Sequence, residues 1–222
     1  MGSGHNEWCF PRSGGDEVTD GFKRRTPSRW GEGGVLREEI LAAAARLLAE
    51  SGREGDLSLR AVAREVGISA PSIYLHFEDR AELVSTLTRR AYERLVGDLR
   101  AARERGAVDG PRAGLRAMTR RYCALALDNP RLYRLMFGIE RIEVPREELA
   151  SHPLWWVAEA WHDAVAACRP GAAEEPGDRR VAKLLWFSLH GVVAMALSTP
   201  FQVDRQALEE MADDLLDLAL TR

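Results

Sequence analysis

Four polar side chains that could donate hydrogen bonds lie close together in the sequence. They are Ser69, Ser72, Tyr74 and His76. Helical spacing puts them on the outward side of one short helix, whereas Ile73 and Phe77 face inward. Because no carboxylate interrupts this stretch, its outward surface can approach the phosphates of a nucleic acid. The segment is therefore a candidate for nucleic-acid binding.

Two short amphipathic helices joined by a tight turn are predicted to position this surface. The first runs from about Ser58, its N-cap, to Val66, and Gly67 ends it. The second follows a turn of two or three residues, begins with Ser69 as its N-cap and ends near Phe77. This arrangement is a helix-turn-helix, whose second helix enters the major groove of DNA. A plain helical hairpin inside a bundle is the alternative that the pattern leaves open.

The chain from Val35 onward is predicted to be all-helical. Apolar residues recur at three- and four-residue steps, and no stretch alternates with period two for long enough to form a strand. A long helix begins at Asp79, where Glu82 completes a capping-box-like pair, and runs to about Arg105. Further helices are predicted near residues 111–128, 130–138, 152–168, 178–198 and 204–221. The loops at 139–151 and 169–177 are expected to be exposed.

Composition favours a compact, soluble, cytoplasmic protein. Of its 222 residues, 45% are hydrophobic and 29% are charged, which is ordinary for a globular chain. The longest apolar candidate, Val192–Leu197, is too short to cross a bilayer, so no membrane segment is expected. Three widely spaced cysteines do not form a ligand cluster, and His152 and His162 are ten residues apart. No metal and no cofactor are therefore expected.

Basic charge is concentrated in the N-terminal half of the chain. Residues 23–105 contain 16 basic and 13 acidic residues, whereas residues 106–222 contain 14 and 17. Residues 1–33 are expected to form a disordered basic arm. Its Lys23, Arg24 and Arg25 either reach phosphates or a minor groove, or belong to a solvated tail. The distribution fits a DNA-facing N-terminal half.

Residues 36–84 resemble the N-terminal domain of TetR-family transcriptional regulators. The resemblance rests on Gly-Ile-Ser at 67–69, on Ser-Ile-Tyr-Leu-His-Phe at 72–77, and on Arg80 and Leu83. It implies that Tyr74, His76, Arg80 and Ser58 contact the DNA backbone. The full set expected to bind DNA is Lys23, Arg24, Arg25, Arg37, Ser58, Arg60, Ser69, Ala70, Pro71, Ser72, Tyr74, His76 and Arg80.

Three positions depart from the common pattern of that family. Ala70, Pro71 and Leu75 stand where Lys, Gly and Tyr are frequent. The differences remove one phosphate contact and leave the set of residues that reads the bases open.

The C-terminal half resembles the effector-binding and dimerising domain of the same family. Residues 186–191, Trp-Phe-Ser-Leu-His-Gly, and residues 129–137 are similar to a subgroup with a Trp…His-Gly signature. The aromatic and methionine side chains here form either ordinary core or an apolar cavity for an apolar or aromatic effector. The predicted lining is Met118, Tyr122, Met136, Phe137, Trp155, Trp161, Trp186, Phe187 and His190.

Small and apolar residues on the last two predicted helices favour a homodimer. Two such helices from each protomer would form a four-helix interface. The residues expected in it are Ser188, Gly191, Ala194, Met211, Leu215 and Leu218. Two-fold symmetry then implies a roughly palindromic operator.

These features together predict a fold and a function. Residues 34–84 form a three-helix, helix-turn-helix DNA-binding domain, joined by a long helix to an effector-binding and dimerisation domain within residues 85–222. The expected function is that of a ligand-responsive regulator, most often a repressor in this family, and not an enzyme. One alternative is a helical-bundle enzyme or carrier, which needs paired carboxylates, a Glu-x-x-His pair or a nucleophile with its base, and none of these is expected. The other is a protein-interaction adaptor that does not bind DNA.

Overall fold

The computed structural model describes residues 33–51, 57–137, 151–169, 176–199 and 204–221. Every regular element in these ranges is helical, which confirms the predicted all-α fold. The helices are α1 (Gly33–Ser51), α2 (Leu59–Val66), α3 (Ala70–Ile73), α4 (Arg80–Gly106), α5 (Pro111–Asp128), α6 (Pro130–Phe137), α7 (Pro153–Cys168), α8 (Pro176–Ser198) and α9 (Arg205–Leu220), with a 3-10 turn at Ala107–Asp109. The predicted arm up to residue 32 and most of the two predicted loops lie outside the described residues.

The contacts divide the chain into two compact units, with the boundary between Val84 and Ser85. In the first unit, α1, α2, α3 and the first residues of α4 surround a small apolar core. Its fully or almost fully buried members are Ile40, Leu41, Val62, Ile73, Phe77 and Leu83. Side chains of this kind stabilise a small unit because each removes apolar surface from water.

Local signals at both ends of α2 fix the turn that leads to α3. The Ser58 hydroxyl caps the helix by accepting a hydrogen bond from the Ala61 N–H at 3.1 Å. Gly67 ends it with φ +78°, in the left-handed region that favours glycine. Its N–H bonds back to the Arg64 carbonyl, so α2 stops there and the chain turns at once.

Helix α3 is shorter than predicted, because it ends at Ile73 instead of near Phe77. The N–H groups of Leu75 and His76 donate to the carbonyls of Ser72 and Ile73, three residues back, so the segment tightens into turns. Ser69 is at the N-cap position of α3 as predicted, but its side chain makes no bond to the helix backbone.

In the second unit, α5, α7, α8 and α9 enclose the larger core. Its most deeply buried large side chains are Leu115, Met118, Tyr122, Trp161 and Leu185. Ion pairs tie α9 to α5, with Arg112 to Asp217 and Arg120 to Asp213 both at 2.7 Å. The Arg112 guanidinium lowers the pKa of the Asp217 carboxyl.

Helix α8 is more apolar than predicted. Within the described residues, Gly177–Ser198 is long and apolar enough to cross a membrane by length and composition alone, with a mean hydropathy of 1.5. The prediction that Val192–Leu197 is the longest apolar run was wrong, because isolated polar residues such as Lys183 and His190 only interrupt a longer stretch. Core helices of soluble proteins have the same composition, and this feature alone is weak evidence for a membrane span.

Candidate functional site

The side chains of Ile73 and of the turn that follows α3 lie on two faces, one exposed and one buried. Tyr74 and Leu75 are 54% and 84% exposed, whereas Ile73 and Phe77 are buried in the core of the first unit. His76 is half-buried. The two buried side chains anchor the segment, and Tyr74 extends from it into solvent.

Three of the expected site residues are serines at or beside α2 and α3. Ser69 and Ser72 share a hydrogen bond, with their Oγ atoms 2.6 Å apart. Ser58 Oγ accepts a bond as the cap of α2, and a hydroxyl that accepts one bond can still donate its own proton. The three side chains supply hydroxyl groups near the starts of α2 and α3.

The arginines expected to contact phosphates fall into two groups. Arg37 pairs with Glu82 at 3.3 Å and its guanidinium lies 4.3 Å from the centre of the Phe77 ring. Arg80 donates from Nε to the Leu57 carbonyl at 2.9 Å. Both side chains therefore make contacts inside the first unit. Arg60, in contrast, is exposed on α2.

The remaining residues that were expected to bind DNA differ in the contacts that their side chains can make. Ala70 is half-buried and Pro71 is exposed in the first turn of α3, where both can make only apolar side-chain contacts. The expected Lys23, Arg24 and Arg25 lie outside the described residues. Leu75 was not predicted as a site residue, yet it is more exposed than Tyr74. An exposed leucine beside hydroxyl donors suits contact with a thymine methyl group.

A buried polar cluster lies inside the second unit at Tyr122, Tyr133 and His190. The Tyr122 hydroxyl is 3.1 Å from both the Tyr133 hydroxyl and His190 Nδ1, and Tyr133 also hydrogen-bonds Nδ1. Phe137 packs against this group, with its ring centre 4.9 Å from those of Tyr133 and His190. Burial lowers the pKa of His190 and raises the pKa of both tyrosines.

The stability of the protein is expected to fall as the pH drops below about 6.5, the ordinary histidine pKa. The folded state keeps His190 neutral while the unfolded chain binds a proton, so acid favours unfolding until the pH passes the lowered folded pKa. Urea unfolding at about pH 7.5 and pH 5.5 measures this, with His190→Gln as the comparison. His152, whose pKa burial also lowers, remains in both proteins and contributes equally to each. An identical loss of stability in both proteins would exclude the histidine as its source.

The residues predicted to line an effector pocket do not form one group. Tyr122, Phe137 and His190 belong to the polar cluster, and Met118 and Met136 are buried in the core beside them. Trp155 and Phe187 are exposed. Tyr133 was missed, because its contact with His190 joins positions 57 residues apart that no local spacing connects.

An exposed apolar stripe runs along α8, and α9 also has exposed apolar side chains. On α8 it contains Leu184, Phe187 and Met195, together with the expected Ser188 and Gly191, and on α9 it contains Met211 and Leu218. A Cβ added at Gly191 would meet no atom within 4 Å. The expected Ala194 and Leu215 are half-buried at its margin. Gly191 is thus not needed for packing inside the protomer.

Three possible metal ligands lie together on α7, although no metal was expected. Donor atoms of Glu159, His162 and Asp163 are within 4.8 Å of one another. The prediction considered the spacing of cysteines and of histidines, and the expectation that no Glu-x-x-His pair occurs was wrong, because Glu159 and His162 form one. Arg179 already pairs with Glu159 at 2.6 Å, so its guanidinium supplies the positive charge that the carboxylate needs.

Comparison with known proteins gives consistent matches over most of the described chain. Residues 40–87 match bacterial regulatory proteins of the tetR family, and residues 115–219 match the tetracyclin repressor-like C-terminal domain. The HTH-type transcriptional regulator Rv1816 of Mycobacterium tuberculosis (strain ATCC 25618 / H37Rv) is 29% identical over 134 residues. The match covers 60% of this chain and 56% of that relative, so the chain spans little more than half of the relative's length.

Solved structures share the same architecture. SCO4313, a protein assigned a regulatory role, matches with a TM-score of 0.66 and 29% identity, over 88% of this chain and 100% of its own. A TetR-family transcriptional regulator from Streptomyces coelicolor matches with a TM-score of 0.60 and 25% identity, over 84% and 98%.

Proposed function

Since the chain belongs to the TetR family of transcriptional regulators, we propose that it is a ligand-responsive repressor that binds a palindromic operator as a homodimer. Matches to both the N-terminal and the C-terminal domain of the family support this, and together they cover more than half of the chain. Residues 34–84 are the proposed DNA-binding domain, and residues 85–222 are the proposed effector-binding and dimerisation domain. Regulators of this family are not typically enzymes.

The observation that carries the DNA-binding proposal is the exposed turn after α3. Tyr74 extends from a segment that Ile73 and Phe77 anchor in the core, with the Ser69 and Ser72 hydroxyls beside it. No carboxylate occurs from residue 66 to residue 77. Rigid donors without nearby negative charge are suited to phosphates, because neither electrostatic repulsion nor ordering of the backbone opposes the contact.

We assign different tasks to the residues of this surface. Ser58, Ser69, Ser72, Tyr74, His76 and Arg60 contact the phosphate backbone, which sets the position of the protein on the duplex. Leu75, together with Ala70 and Pro71, makes apolar contacts with base edges. Arg37 and Arg80 make contacts within the unit and are also proposed to contact phosphates. The arm residues Lys23, Arg24 and Arg25 stay a prediction.

The dimer is proposed to form through the exposed stripe of α8 and α9, with a second copy of this chain as its occupant. Large apolar side chains such as Leu184, Phe187 and Leu218 are mostly exposed on two neighbouring helices. A continuous apolar surface of this kind marks an interface, and a two-fold dimer supplies the second recognition element that a palindromic operator requires.

The effector is proposed to act at the Tyr122–Tyr133–His190 cluster. The cluster offers hydroxyl and imidazole groups within an aromatic surround that includes Phe137. An apolar or aromatic ligand with few polar groups suits such a site. Trp186, His190 and Gly191 also support membership of the Trp…His-Gly subgroup. A protein that must reach chromosomal DNA is proposed to be cytoplasmic.

Selection from a pool of random double-stranded DNA tests the proposed function. The full chain is expected to enrich one sequence family with approximate two-fold symmetry, against excess competitor DNA. A pool that remains unenriched would favour the adaptor or the helical-bundle alternative, because neither recognises a DNA sequence.

A further inference from the structure

We propose that a pocket between α7 and α8 binds a small aromatic carboxylate. The pocket has a volume of about 280 Å³ and lies between residues 155–162 of α7 and residues 179–186 of α8. Its lining includes none of Tyr122, Tyr133 and His190, so it is a different site from the proposed effector cluster. The proposal does not depend on DNA binding.

Indole rings form the apolar wall of this pocket. Trp155 is 54% exposed and lines the pocket from α7, and Trp186 lines it from α8. Trp161 forms a deeper part of the wall and is completely buried. Flat aromatic surfaces of this kind favour a planar ring, because offset stacking and edge contacts add to the burial of apolar area.

Three buried nitrogen atoms of the lining residues have no hydrogen-bond partner among the residues that the structure describes. They are Nε1 of Trp161, Nε1 of Trp186 and Nδ1 of His162. The nearest carboxylate oxygens to His162 Nδ1, on Glu159 and Asp163, are 3.9 and 3.8 Å away, beyond hydrogen-bond distance. A buried polar atom without a partner is unfavourable. A ligand with polar atoms next to its ring offers such partners.

The charges of the lining favour an anion. Arg179 is neutralised by Glu159, with 2.6 Å between Nη1 and Oε1. Arg180 and Lys183 are exposed, and neither forms an ion pair with any residue that the structure describes. The lining therefore carries two positive charges in excess. A carboxylate can make charge-assisted hydrogen bonds with these side chains.

The size of the pocket limits the ligand. A volume of 280 Å³ is at the small end of the roughly 300–1,000 Å³ typical of ligand pockets. One aromatic ring with a short acidic side chain is the matching chemistry. A purely apolar ligand would leave the two cations without a partner, which distinguishes this pocket from the apolar cavity expected from sequence.

Isothermal titration calorimetry of the full chain with cinnamate and with cinnamamide tests the proposal. The two probes share ring, shape and length, and only cinnamate is charged. Cinnamate is expected to bind about tenfold more tightly, since the amide loses a charge-assisted hydrogen bond. Equal affinities for the two probes, or no binding of cinnamate, would overturn the proposal.

Variants locate the binding on the chain. Lys183→Gln and Arg180→Gln are each expected to weaken cinnamate binding by about fivefold and to leave cinnamamide unchanged, whereas Trp155→Ala weakens both. These three side chains are exposed, so their replacement is expected to leave the fold intact. Thermal unfolding of each variant checks this. Arg94→Gln, at an exposed arginine of α4 outside the pocket, is the matched control and should change neither affinity. Normal cinnamate binding by both Lys183→Gln and Arg180→Gln, or its loss in Tyr133→Phe, would place the ligand elsewhere.

Discussion

Replacing Tyr74 with alanine is expected to weaken operator binding by about 1–3 kcal/mol, roughly tenfold to a hundredfold. The variant loses one hydrogen bond to a charged phosphate in every protomer. Its fold is expected to be unchanged, because the Tyr74 side chain is mostly exposed while the neighbouring Ile73 and Phe77 provide the packing. Fluorescence anisotropy with the enriched duplex measures the affinity, and circular dichroism measures the fold.

Two further variants separate the hydroxyl from the ring. Tyr74→Phe keeps the aromatic surface and is expected to lose most of the same affinity, since the hydroxyl makes the proposed contact. Val108→Ala shortens an exposed apolar side chain in the second unit and is expected to bind DNA normally. If Tyr74→Ala binds the operator normally, or if it unfolds the domain, the surface after α3 is not the recognition surface.

Replacing Gly191 with leucine is expected to destabilise the dimer by roughly 1–3 kcal/mol, the usual consequence of overpacking a close contact. The protomer itself should stay folded, because a Cβ at position 191 meets no atom of the same chain within 4 Å. Operator affinity is expected to fall by more than the loss of dimer stability alone would cause, because a monomer cannot bind the two linked half-sites at once. Sedimentation velocity measures the association state over a range of concentrations.

Gly97 provides a matched control for this variant. It also lies inside a helix and is exposed, and a Cβ there likewise meets nothing within 4 Å. Gly97→Leu is therefore expected to leave the dimer intact. Leu184→Glu tests the same stripe by placing a charge within it and is expected to give monomers. A Gly191→Leu protein that remains dimeric at every concentration would contradict the proposed interface.

Sequence reasoning succeeded best where local physical chemistry decides the structure. The cap at Ser58 and the left-handed glycine at Gly67 act within a few residues of their own positions, so the end of α2 could be predicted. The end of α3 could not, because the N–H groups of Leu75 and His76 bond to carbonyls three residues back and tighten the segment into turns. The spacing of apolar residues does not distinguish such turns from one more turn of α-helix.

Contacts between distant helices could not be obtained from spacing. Tyr133 and His190 meet only because α6 and α8 pack into one core. The same limitation applies to the pocket between α7 and α8, where Trp155 and Trp161 share the lining with Arg179 and Lys183. The predicted apolar lining therefore divided into a buried polar cluster and a cationic surface pocket.

The central claim is that this chain recognises a DNA sequence. Fluorescence anisotropy with the enriched duplex and with a shuffled duplex of equal composition, each at about 50 and 200 mM salt, tests it most directly. We expect the enriched duplex to bind about a thousandfold or more tightly than the shuffled one, and both affinities to fall as salt rises. Equal affinities for the two duplexes at both salt concentrations would contradict the claim.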